Sequence, residues 1–318
     1  MISKNYSKIE KKKENNRIVL SIIIINWNNK NILRDCLKSI YKTQSYDSFE
    51  IIVVDNHSGD GSVELIKKEF PDVMLIENDE NLGFARANNQ AIKIAGGNYI
   101  LLLNNDTVLT NNYCFDRMVD YMKENPQVGI LGCKLLYPDG TLQSCGENFP
   151  SLWGIFKSQI LFTKTWKRLG KNKQGDNHFK KVDFVCGACL LTRKEILDKI
   201  GLLREKYFMY GEDVEFCYRV RQAGYEIGVL TNESIIHLHS KSTEKNLTEM
   251  LYYSITNDLT NIEILHHSKL KVLLAKIFHL MGVLMRAFLA IFRKGKKPGD
   301  YLKLFKRLLV RQNITSKK

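Results

Sequence analysis

The chain has 318 residues, of which 44% are hydrophobic and 26% charged, with 5 prolines, 20 glycines and 7 cysteines. This composition is typical of one large or two ordinary globular domains, and it excludes collagen-like and long disordered chains. The net charge of +14 is concentrated at the ends, with +4 on residues 1–17, +11 on residues 251–318 and a nearly neutral body between them.

Basic ends favour an anionic partner, which on charge alone is either nucleic acid or a membrane surface. No apolar segment follows the N-terminal lysines, so we expect no secretory signal. An odd number of cysteines without a disulfide-like framework fits a reducing cytosol.

Strand and helix patterns alternate through the first third of the chain. The predicted strands are residues 18–27, 49–56, 73–78 and 99–106, and the predicted helices are residues 32–41, 62–70 and 84–97. The strands are continuous apolar runs, which is typical of strands buried on both faces. This alternation predicts a parallel sheet with helices on both faces.

The pattern is looser after Asp106. The expected elements are a helix over 113–124, strands over 129–136, 182–193 and 225–232, and helices over 194–201 and 211–224. A "PDG" turn follows the first of these strands. Residues 150–182 show no clear period, and we expect an irregular connection there.

Polar clusters follow three of the strands, at residues 55–62, 78–85 and 104–106. Ligands bind outside the carboxyl ends of strands in open α/β sheets, so a common edge predicts a common site. The alternative is three polar turns. The glycine fingerprint of dinucleotide enzymes and the Walker pattern are both absent after the first strand, which disfavours both of those classes.

Seven motifs occur in one order. They are "SIIIINWNN", "VVDNHSGDGS", "NLGFARANNQAI", "LLLNNDT", "VCGACLLTRKE", "FMYGEDVEFCYRVRQAGY" and "IIHLHSKS". Together they resemble family-2 glycosyltransferases of the rhamnosyltransferase-like group, over residues 18–265. The resemblance implies an α/β GT-A fold, with a mainly parallel, doubly wound sheet and the nucleotide-sugar site at the C-terminal ends of its strands.

The resemblance also implies a metal site. In this family a strand that ends in D-x-D or a variant lets a divalent cation bridge to the donor diphosphate. The triplet here is Asn104-Asn105-Asp106, so Asp106 is its only charged ligand. Hard oxygen ligands and phosphate suit Mg²⁺ or Mn²⁺. His237 resembles the metal-ligating histidine of the family, and His239 is the alternative.

The nucleotide-sugar site is expected to draw on three motifs. Asp55 resembles the residue that hydrogen-bonds the base or ribose, and Asn56 stands where many members have a second Asp. Gly83 lets the backbone approach the ligand closely. The full set of expected binding residues is Asn26, Asp55, Asn56, Asp60, Gly83, Asn88, Asn104, Asn105 and Asp106.

Two adjacent acids, Glu212 and Asp213, begin a predicted helix. Acids suit the positive end of the helix dipole, which is one interpretation. The other is catalytic, because paired acids with separated pKa values leave one ionised as a general base. The resemblance favours Asp213 as that base and Glu212 as an orienting residue.

The cysteine pair Cys186 and Cys189 could indicate a redox or zinc motif, but no second such pair exists. Residues three apart on a strand also point to opposite faces. Small side chains here favour close passage of the strand under the sugar.

The C-terminal tail contains two apolar stretches with basic residues. Residues 271–292 include Lys276, His279 and Arg286. The longest run without a charged residue is therefore short, and we expect this stretch to be too short to span a membrane. With residues 301–312 it predicts basic amphipathic helices that lie in the membrane interface, through residues 269–312. Packing on the body or on a second subunit is the alternative.

The resemblance implies an inverting, metal-dependent glycosyltransferase of hexosyltransferase type. The donor is a nucleotide-diphosphate sugar, with rhamnose inferred from the resemblance, and the acceptor is a lipid-linked glycan of cell-surface polysaccharide synthesis.

The expected divisions are a basic extension 1–17, a GT-A domain 18–250 and a helical tail 251–318. We expect cytoplasmic protein held peripherally at the inner face of the membrane, no nucleic-acid partner, and a homo-oligomer as an open option. The alternatives are a nucleotidyltransferase and a basic nucleic-acid-binding protein.

Overall fold

The computed structural model describes residues 18–43, 49–161, 178–238, 247–292 and 298–310. The predicted basic extension and His239 lie outside these residues. The chain divides into two compact units, one of residues 1–149 and 168–240 and the other of residues 150–167 and 241–318.

The described elements follow in chain order. They begin with β1 Leu20–Asn26, α1 Lys30–Thr43, β2 Phe49–Asp55, α2 Ser62–Glu69, β3 Met74–Glu77, α3 Gly83–Ile94, β4 Tyr99–Asn104, β5 Thr107–Val108, α4 Cys114–Glu124 and β6 Val128–Leu136. They continue with β7 Gly146–Glu147, α5 Leu152–Gln159, β8 Phe179–Lys181, β9 Phe184–Val185, β10 Cys189–Arg193, α6 Lys194–Ile200, α7 Glu212–Gln222 and β11 Glu226–His237. The last are α8 Leu247–His266, α9 Lys269–Ile291 and α10 Pro298–Leu309.

Nine strands of the first unit form one sheet, in the order β3-β2-β1-β4-β10-β6-β11-β5, with β8 paired to β11. Strands β1 to β4, β6 and β11 run in one direction, and β5, β8 and β10 run in the other. Strands β7 and β9 form a separate pair. This arrangement confirms the predicted α/β class and the mainly parallel sheet.

The centre of the sheet is apolar on both faces. Ile22 to Ile24 of β1 and Leu101 of β4 are fully buried. Burying a side chain of this size contributes roughly 1.5–3 kcal/mol, which explains why these runs become central strands. Their register then aligns the polar residues that follow, because Asn26 is opposite Asp55 and Ile25 is opposite Asn104.

The structure differs from the sequence prediction in several elements. The connection over 150–182 contains the helix α5 and the strand β8. The strand expected over 182–193 is two strands, β9 and β10, because a turn closed by the Cys189 N–H and the Cys186 carbonyl at 3.3 Å interrupts it. Strand β11 continues to His237, five residues beyond its predicted end. The helix α8 was not predicted as an element.

The second unit is built from α5, α8, α9 and α10. Its apolar contacts form two clusters of buried residues, one of Tyr252, Ile255, Val283, Leu304 and Leu308, and the other of Ile155, Ile262 and Ala275. Both clusters join residues of α8 and α9, so these two helices are the centre of the unit.

Two of the polar residues in the first stretch of the tail point inward in α9. His279 is buried, and the Arg286 guanidinium donates to Gln159 Oε1 at 2.6 Å. The exposed stripe is apolar instead, with exposures of 40–65% along its length. It consists of Leu270, Leu273, Ile277, Met281, Leu284, Phe288 and Ile291.

Helix α9 also has the length and composition of a membrane span. It has 23 residues, and its most apolar window of 18 residues has a mean hydropathy of 1.8, with 28% of that window buried. The expectation that this stretch is too short to span was therefore wrong on these two criteria. Length and composition alone are also met by the core helices of some proteins without membrane contact.

Candidate active site

The ends of β1 and β2 and the NND triplet are joined by a buried network of side chains. Asn26 Nδ2 donates to Asp55 Oδ2 at 2.9 Å, and Asn105 Nδ2 donates to Asn26 Oδ1 at 2.8 Å. All three residues are at most 9% exposed. Asp55 Oδ1 also accepts from the Ser58 N–H at 2.8 Å. Asn26 therefore orients the carboxylate expected to face the nucleotide, and it links that carboxylate to the triplet.

The neighbouring strand end is held in the same way. Asn56 Nδ2 donates to the Gly83 carbonyl at 3.2 Å, and Asn78 Nδ2 donates to Asn56 Oδ1 at 2.9 Å. Asn56 is 2% exposed. Its amide thus connects β2 to the first residue of α3, and two of the predicted polar clusters meet there.

Gly83 has a structural requirement that only glycine meets. Its φ is +77°, and a Cβ at this position would lie 2.3 Å from the Phe208 carbonyl oxygen. The same oxygen accepts from the Phe84 N–H at 2.7 Å. The close approach observed is therefore between two backbone segments, the start of α3 and the loop that precedes α7.

Two predicted binding residues have local roles in the structure. Asp60 is exposed, and its carboxylate accepts from the N–H groups of Lys30 and Ser62 at 2.8 and 3.1 Å, which closes the loop before α2. Asn88 is 1% exposed, and its Nδ2 donates to the Phe84 carbonyl at 2.9 Å. Asn88 Oδ1 is buried without a hydrogen-bond partner among the described residues.

Asp106 and His237 meet where β4 and β11 end. His237 Nε2 lies 3.2 Å from Asp106 Oδ1 and 3.4 Å from Asn104 Nδ2. At this distance a carboxylate oxygen and an imidazole nitrogen can share a proton, or both can bind one metal ion. Adjacent ligands of an octahedral Mg²⁺ are also about 3 Å apart, since each lies 2.0–2.1 Å from the ion. The pair therefore fits a divalent cation.

The described residues contain no group of three or more His, Cys, Asp or Glu side chains arranged to hold a metal. Asp106 and His237 would supply two ligands, and the remaining positions would fall to water, to amide oxygens or to a bound diphosphate. Mg²⁺ sites commonly have this mixture, with few protein ligands and several from substrate phosphates.

Gln143 is a site residue that the sequence did not indicate. Its Oε1 lies 2.9 Å from His237 Nδ1, and its Nε2 donates to the His237 carbonyl at 2.6 Å. The "PDG" turn was predicted, and it folds the chain back beside β6. The contact also requires β6 and β11 to be neighbours, which no local pattern in the sequence reveals.

The acids at the start of α7 differ in their hydrogen bonds. Asp213 Oδ2 accepts from the Gly187 N–H at 3.0 Å and Oδ1 from the Val214 N–H at 2.8 Å. Glu212 is 5% exposed, and its Oε2 has no hydrogen-bond partner among the described residues.

These surroundings give Glu212 and Asp213 different protonation states. Burial, and then the charge of Asp213, raise the pKa of Glu212 well above its usual value. Burial also raises the pKa of Asp213, while the N–H groups of Gly187 and Val214 oppose that rise. The negative charge of the pair is stabilised on Asp213, because its oxygens are the ones that accept hydrogen bonds.

The turn between β9 and β10 links the acids to the NND triplet. The Gly187 N–H donates to Asp213, and the Ala188 carbonyl accepts from the Asn104 N–H at 3.1 Å. The two cysteines of this segment do not pair with each other, since Cys189 Sγ lies 3.6 Å from Cys133 Sγ in β6. The segment therefore positions site residues, and both of its cysteines are free thiols.

Comparisons with known proteins extend this picture. The chain matches the model of the family described as "Glycosyl transferase family 2" over residues 21–201. It is 26% identical over 211 residues to N-acetylglucosaminyl-diphospho-decaprenol L-rhamnosyltransferase of Mycobacterium tuberculosis, covering 62% of this chain and 68% of that protein.

A second relative is much longer than this chain. The O-antigen biosynthesis protein RfbC of Myxococcus xanthus is 26% identical over 239 residues, covering 70% of this chain and 17% of that protein. Among solved structures, the mannosyltransferase PcManGT from Pyrobaculum calidifontis, in complex with GDP-Man and Mn²⁺, matches with a TM-score of 0.58 and 14% identity. The match covers 98% of this chain and 88% of that one, and it confirms the predicted GT-A fold.

Proposed function

The chain belongs to glycosyltransferase family 2, and from that membership we propose that it transfers a sugar, with inversion, from a nucleotide-diphosphate sugar to a hydroxyl of a lipid-linked glycan. The observation that carries this proposal is the contact between Asp106 and His237 at one edge of the sheet. Asp55 lies at the end of β2, and Asp213, at the start of α7, is hydrogen-bonded to the turn between β9 and β10. The family match over residues 21–201 favours this function over the two alternatives, nucleotidyl transfer and nucleic-acid binding.

The metal is proposed to be held by Asp106 and His237, with Asn104 beside them. Mg²⁺ and Mn²⁺ both suit this donor set. When bound, such an ion would neutralise charge on the donor diphosphate. The Mn²⁺ and GDP-Man in the complex of the Pyrobaculum mannosyltransferase support this assignment.

The nucleotide is proposed to lie against the ends of β1 and β2. Asp55, which accepts a hydrogen bond from Asn26, is proposed to accept others from a base or ribose. The Asn88 amide oxygen, which is buried and has no hydrogen-bond partner among the described residues, is proposed to accept another. The further residues proposed for this surface are Asn56, Asp60, Gly83 and Asn105.

Asp213 is proposed as the general base. Its ionised carboxylate takes the proton from the acceptor hydroxyl while that oxygen forms a bond to the anomeric carbon. The bond from that carbon to the diphosphate oxygen breaks in the same step, and the nucleoside diphosphate leaves with the bonding electrons. Glu212 holds its own proton at the buried end of the helix, so it orients the acceptor as a hydrogen-bond donor.

The acceptor and sugar are proposed from the relatives. The mycobacterial relative is named as a rhamnosyltransferase that acts on N-acetylglucosaminyl-diphospho-decaprenol, which supports rhamnose and a polyprenyl-linked glycan. The Myxococcus relative is named for O-antigen biosynthesis, which supports a role in cell-surface polysaccharide.

A lipid-linked acceptor would bring the enzyme to a membrane, and the second unit offers a surface for that contact. The exposed face of α9 is apolar over its whole length, and residues 251–318 carry a net charge of +11. We propose that this tail attaches the protein at the cytoplasmic face of an anionic membrane. A single spanning helix and a homo-oligomer contact are the competing uses of the same face.

Sugar transfer by the 318-residue chain tests the proposal. The protein would be incubated with a synthetic polyprenyl-diphosphate-N-acetylglucosamine and a panel of deoxythymidine, uridine and guanosine diphosphate sugars, with Mn²⁺ or Mg²⁺. We expect one sugar to be transferred, with loss of transfer in excess EDTA.

Asp106→Ala should abolish metal-dependent donor binding. Asp72 is an exposed acid before β3, and Asp72→Ala should leave donor binding intact. Full transfer in EDTA would contradict the metal assignment.

A further inference from the structure

The side-chain amide of Gln143 contacts both the imidazole ring and the backbone carbonyl of His237. Its Nε2 donates to the His237 carbonyl at 2.6 Å and lies 3.3 Å from the Leu136 carbonyl, while its Oε1 lies 2.9 Å from His237 Nδ1. Gln143 is 4% exposed and His237 is 9% exposed, so water does not compete freely for these bonds.

The two carbonyls determine which way the amide points. A carbonyl oxygen only accepts hydrogen bonds, so the NH₂ group of Gln143 must face Leu136 and the His237 backbone. The amide oxygen must then face Nδ1, and an oxygen in that place requires Nδ1 to carry a hydrogen. In a neutral imidazole the other nitrogen, Nε2, is then unprotonated, and Nε2 is the atom that faces Asp106.

The backbone around Gln143 holds the amide in that place. The Gln143 N–H donates to the Leu135 carbonyl at 2.7 Å, and the Tyr137 N–H donates to the Thr141 carbonyl at 2.8 Å. These bonds fold the segment after β6 into a hairpin beside the end of β11. The amide is therefore fixed by the fold before any ligand binds.

We propose that Gln143 is a positioning residue that sets the tautomer and direction of the His237 ring and thereby strengthens divalent-cation binding by Asp106 and His237. The proposal rests on the proposed metal site. Partners of this kind on a metal-bound histidine typically change metal affinity by roughly 10- to 100-fold. Gln143 acts through His237 and touches neither the cation nor the sugar.

The first test measures the ring itself and needs neither metal nor reaction. Nitrogen-15 NMR of metal-free, histidine-labelled protein at mildly alkaline pH reports which ring nitrogen carries the hydrogen, and His237→Ala assigns the signal. We expect Nδ1 of His237 to carry a hydrogen in the wild type, whether or not Nε2 shares a second one with Asp106, and we expect that Nδ1 hydrogen to be partly or fully lost in Gln143→Met, which keeps the side-chain length. A wild-type ring protonated at Nε2 alone would overturn the proposal.

The second test measures Mn²⁺ affinity by electron paramagnetic resonance in the presence of a nucleoside diphosphate. Gln143→Met should weaken Mn²⁺ binding by roughly 10- to 100-fold. Thr141→Val is the matched control, because it removes the 2.6 Å hydroxyl bond to Asp139 in the same hairpin without touching His237, and it should leave the affinity unchanged. Equal affinities for Gln143→Met and wild type would contradict the proposal.

A double-mutant cycle separates positioning from a general loss of stability. If Gln143 acts through His237, adding Gln143→Met to His237→Ala should weaken Mn²⁺ binding no further. A full additional loss in that background would overturn the proposal. If Gln143→Met does not fold, Gln143→Asn replaces it in every arm, since its shorter amide cannot span both atoms. A protein that shows these effects but transfers no sugar would retain this inference and reject the proposed function.

Discussion

Glu212 and Asp213 are adjacent in the chain, yet their side chains have different surroundings. Both oxygens of Asp213 accept backbone hydrogen bonds, whereas Glu212 Oε2 is buried without a described partner. Stabilising a negative charge on one of two close acids keeps the other protonated. This asymmetry is the basis for assigning the base to Asp213.

Replacing Asp213 by Asn should preserve donor binding and remove the base. We expect turnover to fall by roughly 10²–10⁴-fold, the usual contribution of general-base catalysis. In the wild type, kcat/KM should fall as pH drops through the raised pKa of Asp213. Steady-state kinetics against pH measures both, with Asp198→Asn, an exposed acid on α6, as control. Unchanged turnover in Asp213→Asn would move the base elsewhere.

Replacing Glu212 by Gln should stabilise the protein at neutral pH. Burial, with the charge of Asp213, raises the folded-state pKa of Glu212. Its stabilising contribution is therefore complete below the unfolded-state pKa of about 4.3 and is lost as pH rises through the raised folded-state pKa. The glutamine stays neutral throughout, so its Tm should exceed that of the wild type increasingly as pH rises. A constant difference from acidic to neutral pH would contradict this account, as would the same gain in the exposed control Glu64→Gln.

At the scale of elements, the start of α3 depends on one glycine. Gly83 combines a φ of +77° with a potential clash at the Phe208 carbonyl, whereas Gly224 has a φ of +90° and no atom within 4 Å of its potential Cβ. Comparing substitutions at the two positions therefore distinguishes the effect of backbone strain from the effect of steric contact.

Gly224→Ala should destabilise the protein by about 1–2 kcal/mol, the range for left-handed backbone at an alanine. Gly83→Ala should destabilise it by more than that and weaken donor binding, because the loop before α7 must move. Denaturant unfolding and nucleotide titration measure the two effects. Equal losses of stability with unchanged nucleotide binding in Gly83→Ala would show that the contact with Phe208 does not matter.

The elements that the sequence predicted best are those with local causes. Apolar runs such as Ile22–Ile24 determine central strands, and the polar residues that end them meet because parallel strands share an edge. The order of the strands has no local cause, so the Gln143–His237 contact was missed. The strand expected at residues 182–193 was interrupted by a turn at Gly187, whose N–H bonds Asp213 across the fold.

The tail shows the same limitation. The sequence revealed the basic residues of α9, but their direction depends on which face packs against the other helices. His279 and Arg286 turn toward α5 and α8, so the exposed face is apolar.

The apolar face of α9 should bind anionic vesicles. Leu273→Glu with Phe288→Glu places two charges on that face, and we expect sedimentation with phosphatidylglycerol liposomes to be lost while donor hydrolysis is kept. The matched control is Trp153→Glu with Leu161→Glu, two exposed residues of the same unit outside α9. Wild-type protein that stays in the supernatant would contradict membrane attachment.

The nature of that attachment is decided by how the protein is released. High salt should weaken the membrane binding of a peripheral helix. Each Lys or Arg near an anionic surface contributes about 1 kcal/mol to that binding, and salt screens this contribution. Resistance to salt and alkaline washing would favour a span by α9, whose length and composition permit one.

The configuration of the product distinguishes a single displacement from a mechanism that retains the donor's configuration. One displacement at the anomeric carbon, driven by Asp213, must invert that carbon. The measurement is the proton NMR spectrum of the isolated product formed from a donor of known anomeric configuration. We predict a glycosidic bond of the opposite configuration to the donor, formed only with the divalent cation present. A product that retains the donor's configuration would contradict the account.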